Sequence, residues 1–192
     1  MNPDKAFLFL IDTFIDIYCY IVFARFLLQV VRADFYNPVS QFVLKATNPI
    51  LKPLRRVVPG FGGLDIASLT LVLLLQIVKV LCLAFFLIGG LPPVLNLTMA
   101  SLLSSAGFVI DFFFYAIFLQ VILSWISQGN YSSFSSLLDQ ITSPIMSPVR
   151  KIIPSMGGLD LSPMVVLLGI QFIKILFGLS SNSVLRALVS FS

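Results

Sequence analysis

The chain has 192 residues, of which 58% are hydrophobic and 10% are charged, and it contains no histidine. Soluble domains carry about a quarter charged residues, so this composition, with a mean hydropathy of +1.04, excludes that class and indicates an integral membrane protein. The net charge of +4 is small, and without a basic face on a soluble domain it also argues against nucleic-acid binding.

The first apolar run follows Lys5 and has some features of a secretory signal. However, Asp4, Asp12 and Asp16 interrupt the basic and uncharged regions that such a signal needs, and no small-residue cleavage site follows. We therefore expect this segment to be retained as the first membrane span, residues 7–31.

Apolar segments of about 20 residues are long enough to cross a bilayer as α-helices. The sequence has four of them, which predicts an all-α, polytopic membrane protein. The four predicted transmembrane helices are residues 7–31, 66–88, 106–126 and 161–179.

Two further apolar segments are not predicted as spans. Residues 91–105 begin with a proline pair and contain five polar side chains, which predicts an extracytoplasmic connector that is interfacial or partly re-entrant. Residues 180–192 repeat apolar side chains at helical spacing, which predicts an amphipathic tail on the membrane surface. The polar residues of the connector are Asn96, Thr98, Ser101, Ser104 and Ser105.

Lysine and arginine cluster in the connections after the first and third spans, whereas residues 89–105 carry no charge. Connections rich in these residues stay on the cytoplasmic side, so both should be cytoplasmic and both termini external. The basic residues are Arg32, Lys45, Lys52, Arg55 and Arg56 in the first connection, and Arg150 and Lys151 in the second.

The first connection contains TNPILKPLRRVVPGFGGLD at residues 47–65, and the second contains TSPIMSPVRKIIPSMGGLD at residues 142–160. Residue 142 lies 95 positions after residue 47, and no gap is needed to align the copies. The chain is therefore a tandem duplication of a unit with two spans, and an even number of spans makes the units parallel. The predicted units are residues 1–90 and 106–179.

The repeated motif predicts a segment that turns the chain along the membrane surface and back. Asn48 is a good N-cap and Pro49 suits the first helical position, so a short helix should begin there. Pro53 should keep that helix short or bent, and Pro59 should end it. A glycine pair then provides a turn before the next span.

The candidate motif residues, which we expect to contact lipid or a partner, occur in both copies. In the first copy they are Asn48, Pro49, Pro53, Arg55, Pro59, Gly62, Gly63 and Asp65. In the second copy they are Pro144, Pro148, Arg150, Pro154, Gly157, Gly158 and Asp160. The candidate caps of the following spans are Asp65 or Ser68, and Asp160 or Ser162.

The motif N/S-P-x-x-x-P-x-R-x-x-x-P followed by G-G-L-D resembles the YGGT family, also called YlmG-like, of small bacterial and plastid membrane proteins. The resemblance covers both repeats, and two copies suggest the proteobacterial form. The second copy departs from the first in having Ser143 in place of Asn48 and Ser147 in place of Lys52. The resemblance implies a bacterial inner-membrane protein without an established catalytic activity. Relatives are linked to osmotic tolerance, to division or nucleoid organisation, and in plastids to cytochrome maturation.

Four charged residues lie deep in the predicted spans. Asp16 and Lys79 lie at one depth in the first repeat, and Asp111 and Lys174 lie at one depth in the second. An isolated charge in hydrocarbon costs several kcal/mol, so each acid should face its base. The pairs either fix how the helices dock or form an ion or proton pathway, which four helices would need oligomers to enclose. Arg25, whose counterpart is Gln120, should extend to the nearby cytoplasmic surface.

The sequence argues against an enzyme. It offers no histidine, no metal cluster and no phosphate-binding loop, and Cys19 and Cys82 lie within apolar runs as small hydrophobic residues. We expect no cofactor. The predicted function is a membrane scaffold or assembly protein; the alternative is a small oligomeric transporter or channel component affecting ion or osmolyte balance.

The expected partners are the lipid bilayer, including anionic headgroups, and other membrane, division or assembly proteins or further copies of this chain. The shared Arg55 and Arg150 are hypothesised to hold a lipid phosphate or an acidic partner through two parallel hydrogen bonds. The competing interpretation is ordinary anchoring by positive charge on the cytoplasmic side.

The charge distribution makes a topological prediction. Reporters fused after Ser192 or inserted within residues 89–105 should be external, and reporters at residues 60 and 155 should be cytoplasmic. Protease accessibility or reporter activity in intact cells measures this. A cytoplasmic carboxyl terminus would contradict the predicted number of spans.

Overall fold

The computed structural model describes residues 3–127, 132–153 and 160–179, together with Val184 and Leu188. Each half of the described chain has the same order of helices: a long apolar helix, an amphipathic helix with two internal prolines, and a second apolar helix. The helices are α1 (Pro3–Val30), α2 (Pro38–Val57), α3 (Ile66–Ile88), α4 (Val94–Ser127), α5 (Ser133–Ile152) and α6 (Ser162–Leu176).

Three of the described helices are long and apolar enough to cross a membrane, through their segments Ala6–Val30, Ile66–Phe86 and Val94–Ile126. The helix α6 is also apolar, but it has 15 residues. At 1.5 Å per residue that is about 22 Å, less than the roughly 30 Å of a hydrocarbon core. The all-α membrane architecture is therefore present, and a fourth complete span stays a prediction.

The helix start predicted at residue 106 is wrong, because α4 begins at Val94 and continues without a break. The polar side chains of residues 91–105 do not interrupt the helix. Thr98 and Ser105 donate to backbone carbonyls of α4 itself, whereas Asn96 and Ser104 reach partners outside it. Ser104 Oγ, for example, donates to Gln76 Oε1 in α3 at 2.7 Å. The proline pair precedes the first helical turn, where a missing N–H costs nothing.

The motif helices also start earlier than predicted. The helix α2 begins after Asn37, whose Oδ1 accepts the backbone N–H of Val39 at 2.9 Å. The helix α5 begins after Ser132, whose Oγ accepts a backbone N–H three residues later at 3.1 Å. Asn48 and Ser143 therefore lie inside helices and cap nothing.

The motif prolines lie in the interiors of the two amphipathic helices: Pro49 and Pro53 in α2, and Pro144 and Pro148 in α5. A proline removes one helical hydrogen bond and crowds the carbonyl four residues before it. Because each pair is spaced four residues apart, both prolines lie on one side of the helix. All four are exposed, so this weakened side faces away from the core.

The core joins the two repeats through aromatic side chains. Tyr20 in α1 stacks on Phe108 in α4 with ring centroids 4.9 Å apart. Phe23 meets Phe112 edge to face, also at 4.9 Å. Such pairs each contribute about 0.5–1.5 kcal/mol beyond burial, and here they connect equivalent helices of the two copies.

The tail predicted over residues 180–192 is described at Val184 and Leu188 only. Both are helical and buried, and they pack against Val80 in α3 and Ala100 in α4. The apolar side of the tail therefore contacts the protein at these two residues, and its position on the membrane surface stays a prediction.

A two-residue turn within the first motif lies between α2 and α3. Gly62 and Gly63 have φ angles of 61° and 81°, which favour glycine, and Phe61 and Leu64 exchange backbone hydrogen bonds of 3.3 and 3.0 Å around them. The glycine pair thus forms the predicted turn. Its counterparts Gly157 and Gly158, and also Pro154, lie outside the described residues.

Candidate functional site

Arg55 in α2 contacts Asp65, the residue that precedes α3, through two nitrogens. Arg55 Nε lies 3.2 Å from Asp65 Oδ1, and Nη2 contacts Oδ2. Ser68 Oγ donates to the same Oδ2 at 2.5 Å. Because a paired guanidinium and carboxylate fix both distance and orientation, this contact holds the end of α2 against the start of α3.

The second copy repeats this contact in weaker form. Arg150 Nε donates to Asp160 Oδ2 at 3.0 Å, again across ten residues. Asp160 Oδ1 accepts the backbone N–H of Ser162 at 2.9 Å, at the start of α6. The two nitrogens of Arg55 hypothesised to hold a phosphate are thus occupied by the motif's own aspartate, as is Nε of Arg150.

Arg25 connects a third helix, α1, to the contact between Arg55 and Asp65 in the first copy. Its side chain is 6% exposed, and Nη1 donates to Thr47 Oγ1 at 2.5 Å and to Asn48 Oδ1 at 2.9 Å. Its Nε lies 3.9 Å from Asp65 Oδ2. The predicted extension of Arg25 to the membrane surface is therefore wrong, because polar groups on α2 and before α3 hold the guanidinium inside the bundle.

The second copy keeps the same connection without the charge. Gln120 occupies the position of Arg25, and its Oε1 accepts from Thr142 Oγ1 at 2.7 Å. Its Nε2 donates to Asp139 Oδ1 at 2.8 Å. The threonine that opens each motif thus bonds to the long helix of its own repeat. Thr47 accepts a hydrogen bond from α1, and Thr142 donates one to α4.

The two motif aspartates have lowered pKa values. Burial alone would raise the pKa of Asp65, but hydrogen bonds from Arg55 and Ser68 and the charge of Arg55 outweigh it. Burial also opposes ionisation of Asp160, whose pKa is lowered by hydrogen bonds to Ser162 and Arg150 and by the arginine charge. A lowered folded-state pKa means that each carboxylate stabilises the fold at neutral pH and loses this contribution as the pH falls through that pKa.

A second set of charges lies within the apolar helices. Lys79 Nζ is 2.7 Å from Asp16 Oδ2 and 2.9 Å from Asp12 Oδ1, and Lys174 Nζ contacts Asp111 Oδ1. The structure thus places each predicted acid beside its predicted base. The sequence prediction missed Asp12, although its position one helical turn before Asp16 puts it on the same side of α1.

Gln76 connects the first charge cluster to the other repeat. It is fully buried in α3, its Nε2 lies 3.4 Å from Asp16 Oδ1, and its Oε1 accepts from Ser104 in α4. A buried side-chain amide that serves α1 and α4 together fixes the rotation of three helices.

Apart from the glycine pair, the described motif residues either join a charged cluster or are exposed prolines. Asn48, Arg55 and Asp65 meet around Arg25, as described above, and Arg150 meets Asp160. The four helical prolines and Pro59 are exposed and join neither cluster. Within the described ranges, no group of three or more Cys or Asp side chains has an arrangement that could hold a metal ion.

The CCB3/YggT family model matches the chain twice, over residues 5–86 and 99–180. The chain belongs to the CCB3/YggT family. The two matched segments correspond to the two sets of helices, so both copies of the duplication are units of this family. The resemblance of the proline, arginine and glycine motif to that family is thereby confirmed.

Several relatives match this chain over most of their length. An uncharacterized protein of Pseudomonas aeruginosa is 42% identical over 176 residues, which cover 90% of this chain and 88% of the relative. An uncharacterized protein of Vibrio alginolyticus is 41% identical over 174 residues, with 88% and 92% covered. The uncharacterized protein YggT of Escherichia coli K12 is 39% identical over 160 residues, with 83% and 82% covered. No solved structure matches the chain.

The intramembrane cluster predicts that removing its lysine alone costs more stability than removing the lysine and both aspartates together. Lys79→Leu leaves Asp12 and Asp16 without a cation and should cost on the order of 3 kcal/mol in thermal unfolding of the detergent-solubilised protein. Adding Asp12→Leu and Asp16→Leu to Lys79→Leu should recover part of that loss, because no unpaired charge remains. Lys52→Leu, at an exposed position, is the control. Additive losses would contradict contact between these groups.

Proposed function

We propose that this chain is a scaffold or assembly protein of the bacterial inner membrane. The observation that carries the proposal is the mutual pairing of the charges within the apolar helices. A path for ions or protons requires groups that exchange with water or with a moving ion. Here two carboxylates of α1 hold Lys79, and one carboxylate of α4 holds Lys174, which suits a fixed framework better than a pathway.

The outer surface of α2 supports a role in binding partners. Successive residues of an α-helix are 100° apart, which places the exposed Lys45, Lys52 and Arg56 in one strip. The buried Val43 and Leu51 lie on a different side of the same helix. This strip, which we call the basic strip, is available to an acidic surface beyond the bundle.

A third side of α2 is apolar and exposed, and it adjoins the basic strip. It includes Phe42 and Val57, which are 61% and 79% exposed. A helix with one side on the bundle, one apolar side outward and one basic side suits the boundary between hydrocarbon and headgroups. By the positive-inside rule this boundary is the cytoplasmic one, which makes the basic strip accessible to cytoplasmic or membrane partners.

The second copy lacks most of this surface. Its equivalents of Lys45, Lys52 and Arg56 are Gln140, Ser147 and Lys151, so one cation remains of three. We propose that the first copy contacts the partner, and that the second completes the bundle. A partner in division or envelope assembly fits the roles that the family resemblance implies, and an effect on osmotic tolerance would then be indirect.

The alternative is a component of a small oligomeric transporter or channel. It is favoured by one observation: Lys79 is shared by two carboxylates, and the Asp12 side chain is 39% exposed. Two carboxylates that share one lysine can each take up a cation or a proton in turn if copies of the chain enclose the site.

Site-specific crosslinking in native membranes tests the scaffold proposal. A photoreactive residue in place of Val57 should give an adduct of one defined mass with a neighbouring protein. Changing the basic strip to the residues of the second copy, Lys45→Gln with Lys52→Ser, should remove most of that adduct. The matched control, Lys151→Gln in the second copy, should retain it.

Reconstitution separates the two functions. The purified chain in liposomes should conduct neither ions nor protons. A conductance that Lys79→Leu abolishes, together with no protein adduct at position 57, would contradict the scaffold and support the transporter.

A further inference from the structure

A cavity of about 330 Å³ lies between α1 and α2 in the first copy. Its polar lining residues are the buried Arg25, the more exposed Arg55, Gln29 and Ser40. The rest of the lining is apolar and includes Phe35. The cavity thus combines two cationic groups with hydrocarbon walls.

The Ser40 hydroxyl is buried in the wall of this cavity without a hydrogen-bond partner among the described residues. The residue is 3% exposed. Burying a hydroxyl without a partner is unfavourable, so most buried polar groups in proteins are satisfied. The Ser40 hydroxyl is therefore a free donor in the wall of a cavity that also contains two guanidinium groups.

The charges around the cavity do not balance among the described residues. Arg25 and Arg55 both approach Asp65, at 3.9 Å from Arg25 Nε and in direct contact with Arg55. Two cations therefore share one carboxylate. Since the Arg25 side chain is 6% exposed, its charge is poorly solvated by water and favours an additional anion.

The second copy has the opposite balance. Arg150 lies 3.6 Å from Asp139 and 3.0 Å from Asp160, so one cation faces two carboxylates. Gln120 stands in place of Arg25, and Asp139 stands in place of Leu44, a residue of the cavity wall. The excess of positive charge is thus confined to the first copy.

We infer that this cavity binds one phosphate group. Guanidinium and hydroxyl donors are matched to the oxygen acceptors of phosphate, and a phosphodiester carries the single negative charge that the first cluster lacks. Arg25 is already oriented by Thr47 and Asn48, so little side-chain entropy is lost on binding. The apolar walls leave room for the carbon atoms attached to the phosphate. The source is a phospholipid headgroup or free phosphate.

The proposed site depends on one cation that is not repeated. The motif arginines Arg55 and Arg150 occur in both copies, but Arg25 has no cationic counterpart. The phosphate site is therefore a property of the first copy, and it is separate from the basic strip, whose side chains do not line the cavity.

Native mass spectrometry of the full chain released from detergent micelles tests this inference, with phosphatidylglycerol and inorganic phosphate titrated separately. We expect one equivalent to bind tightly, and Ser40→Ala to weaken its Kd about tenfold through the lost hydrogen bond to a charged group. Arg25→Gln, which copies the second repeat, should weaken it at least as much. Saturation by phosphatidylglycerol identifies a lipid headgroup, and saturation by inorganic phosphate alone identifies free phosphate.

Two controls keep the test independent of folding and of surface charge. Ser40→Ala removes an unpartnered buried hydroxyl, so its thermal stability without added ligand should equal or exceed that of the wild type. Lys52→Gln and Ser135→Ala, the serine equivalent in the second copy, should change the Kd by about twofold or less, as surface positions do. Wild-type affinity in folded Ser40→Ala, or no saturable binding of either probe, would overturn the inference.

Discussion

The constraint on which the structure depends is that a charge within the apolar helices must meet an opposite charge at the same depth. Asp16 and Lys79 satisfy it in the first repeat, and Asp111 and Lys174 in the second, each pair separated by 63 residues. The chain between the members of a pair must therefore leave the apolar layer, turn, and return to the same level. The amphipathic helix and the turn after it have the length and the shape that this return requires.

The return is fixed a second time by the motif. In each copy an arginine pairs with the aspartate ten residues later and closes the segment between them. The pairs are Arg55 with Asp65 and Arg150 with Asp160. The repeated arginine and aspartate thus have an intramolecular role, which explains their presence in both copies without any ligand. Partner and ligand binding are then more reasonably assigned to positions where the copies differ, such as residue 25 and the basic strip of α2.

Features that depend on distance along the chain were predictable from the sequence. The duplication, the first two spans and the facing of Asp16 by Lys79 follow from spacing and depth alone. The start of α2 was not predictable from the sequence. Asn37 and Asn48 offer the same local signal before a proline, and only packing in the bundle selects Asn37 as the cap. The connection of Arg25 to Thr47 depends on how α1 meets α2, and no local pattern encodes that contact. Ser104 was misread for the same reason, since its partner, Gln76, lies on another helix.

The central claim is that the charges within the helices are ionised and paired inside one chain. Solid-state NMR of the protein in lipid bilayers, with ¹³C in the aspartate carboxyl groups and ¹⁵N at lysine Nζ, measures this directly through carbon–nitrogen dipolar couplings. The account predicts ionised carboxylates with short-range couplings, some lost in Lys79→Gln and the others in Lys174→Gln. Protonated carboxyl groups, or couplings unchanged in both variants, would contradict it.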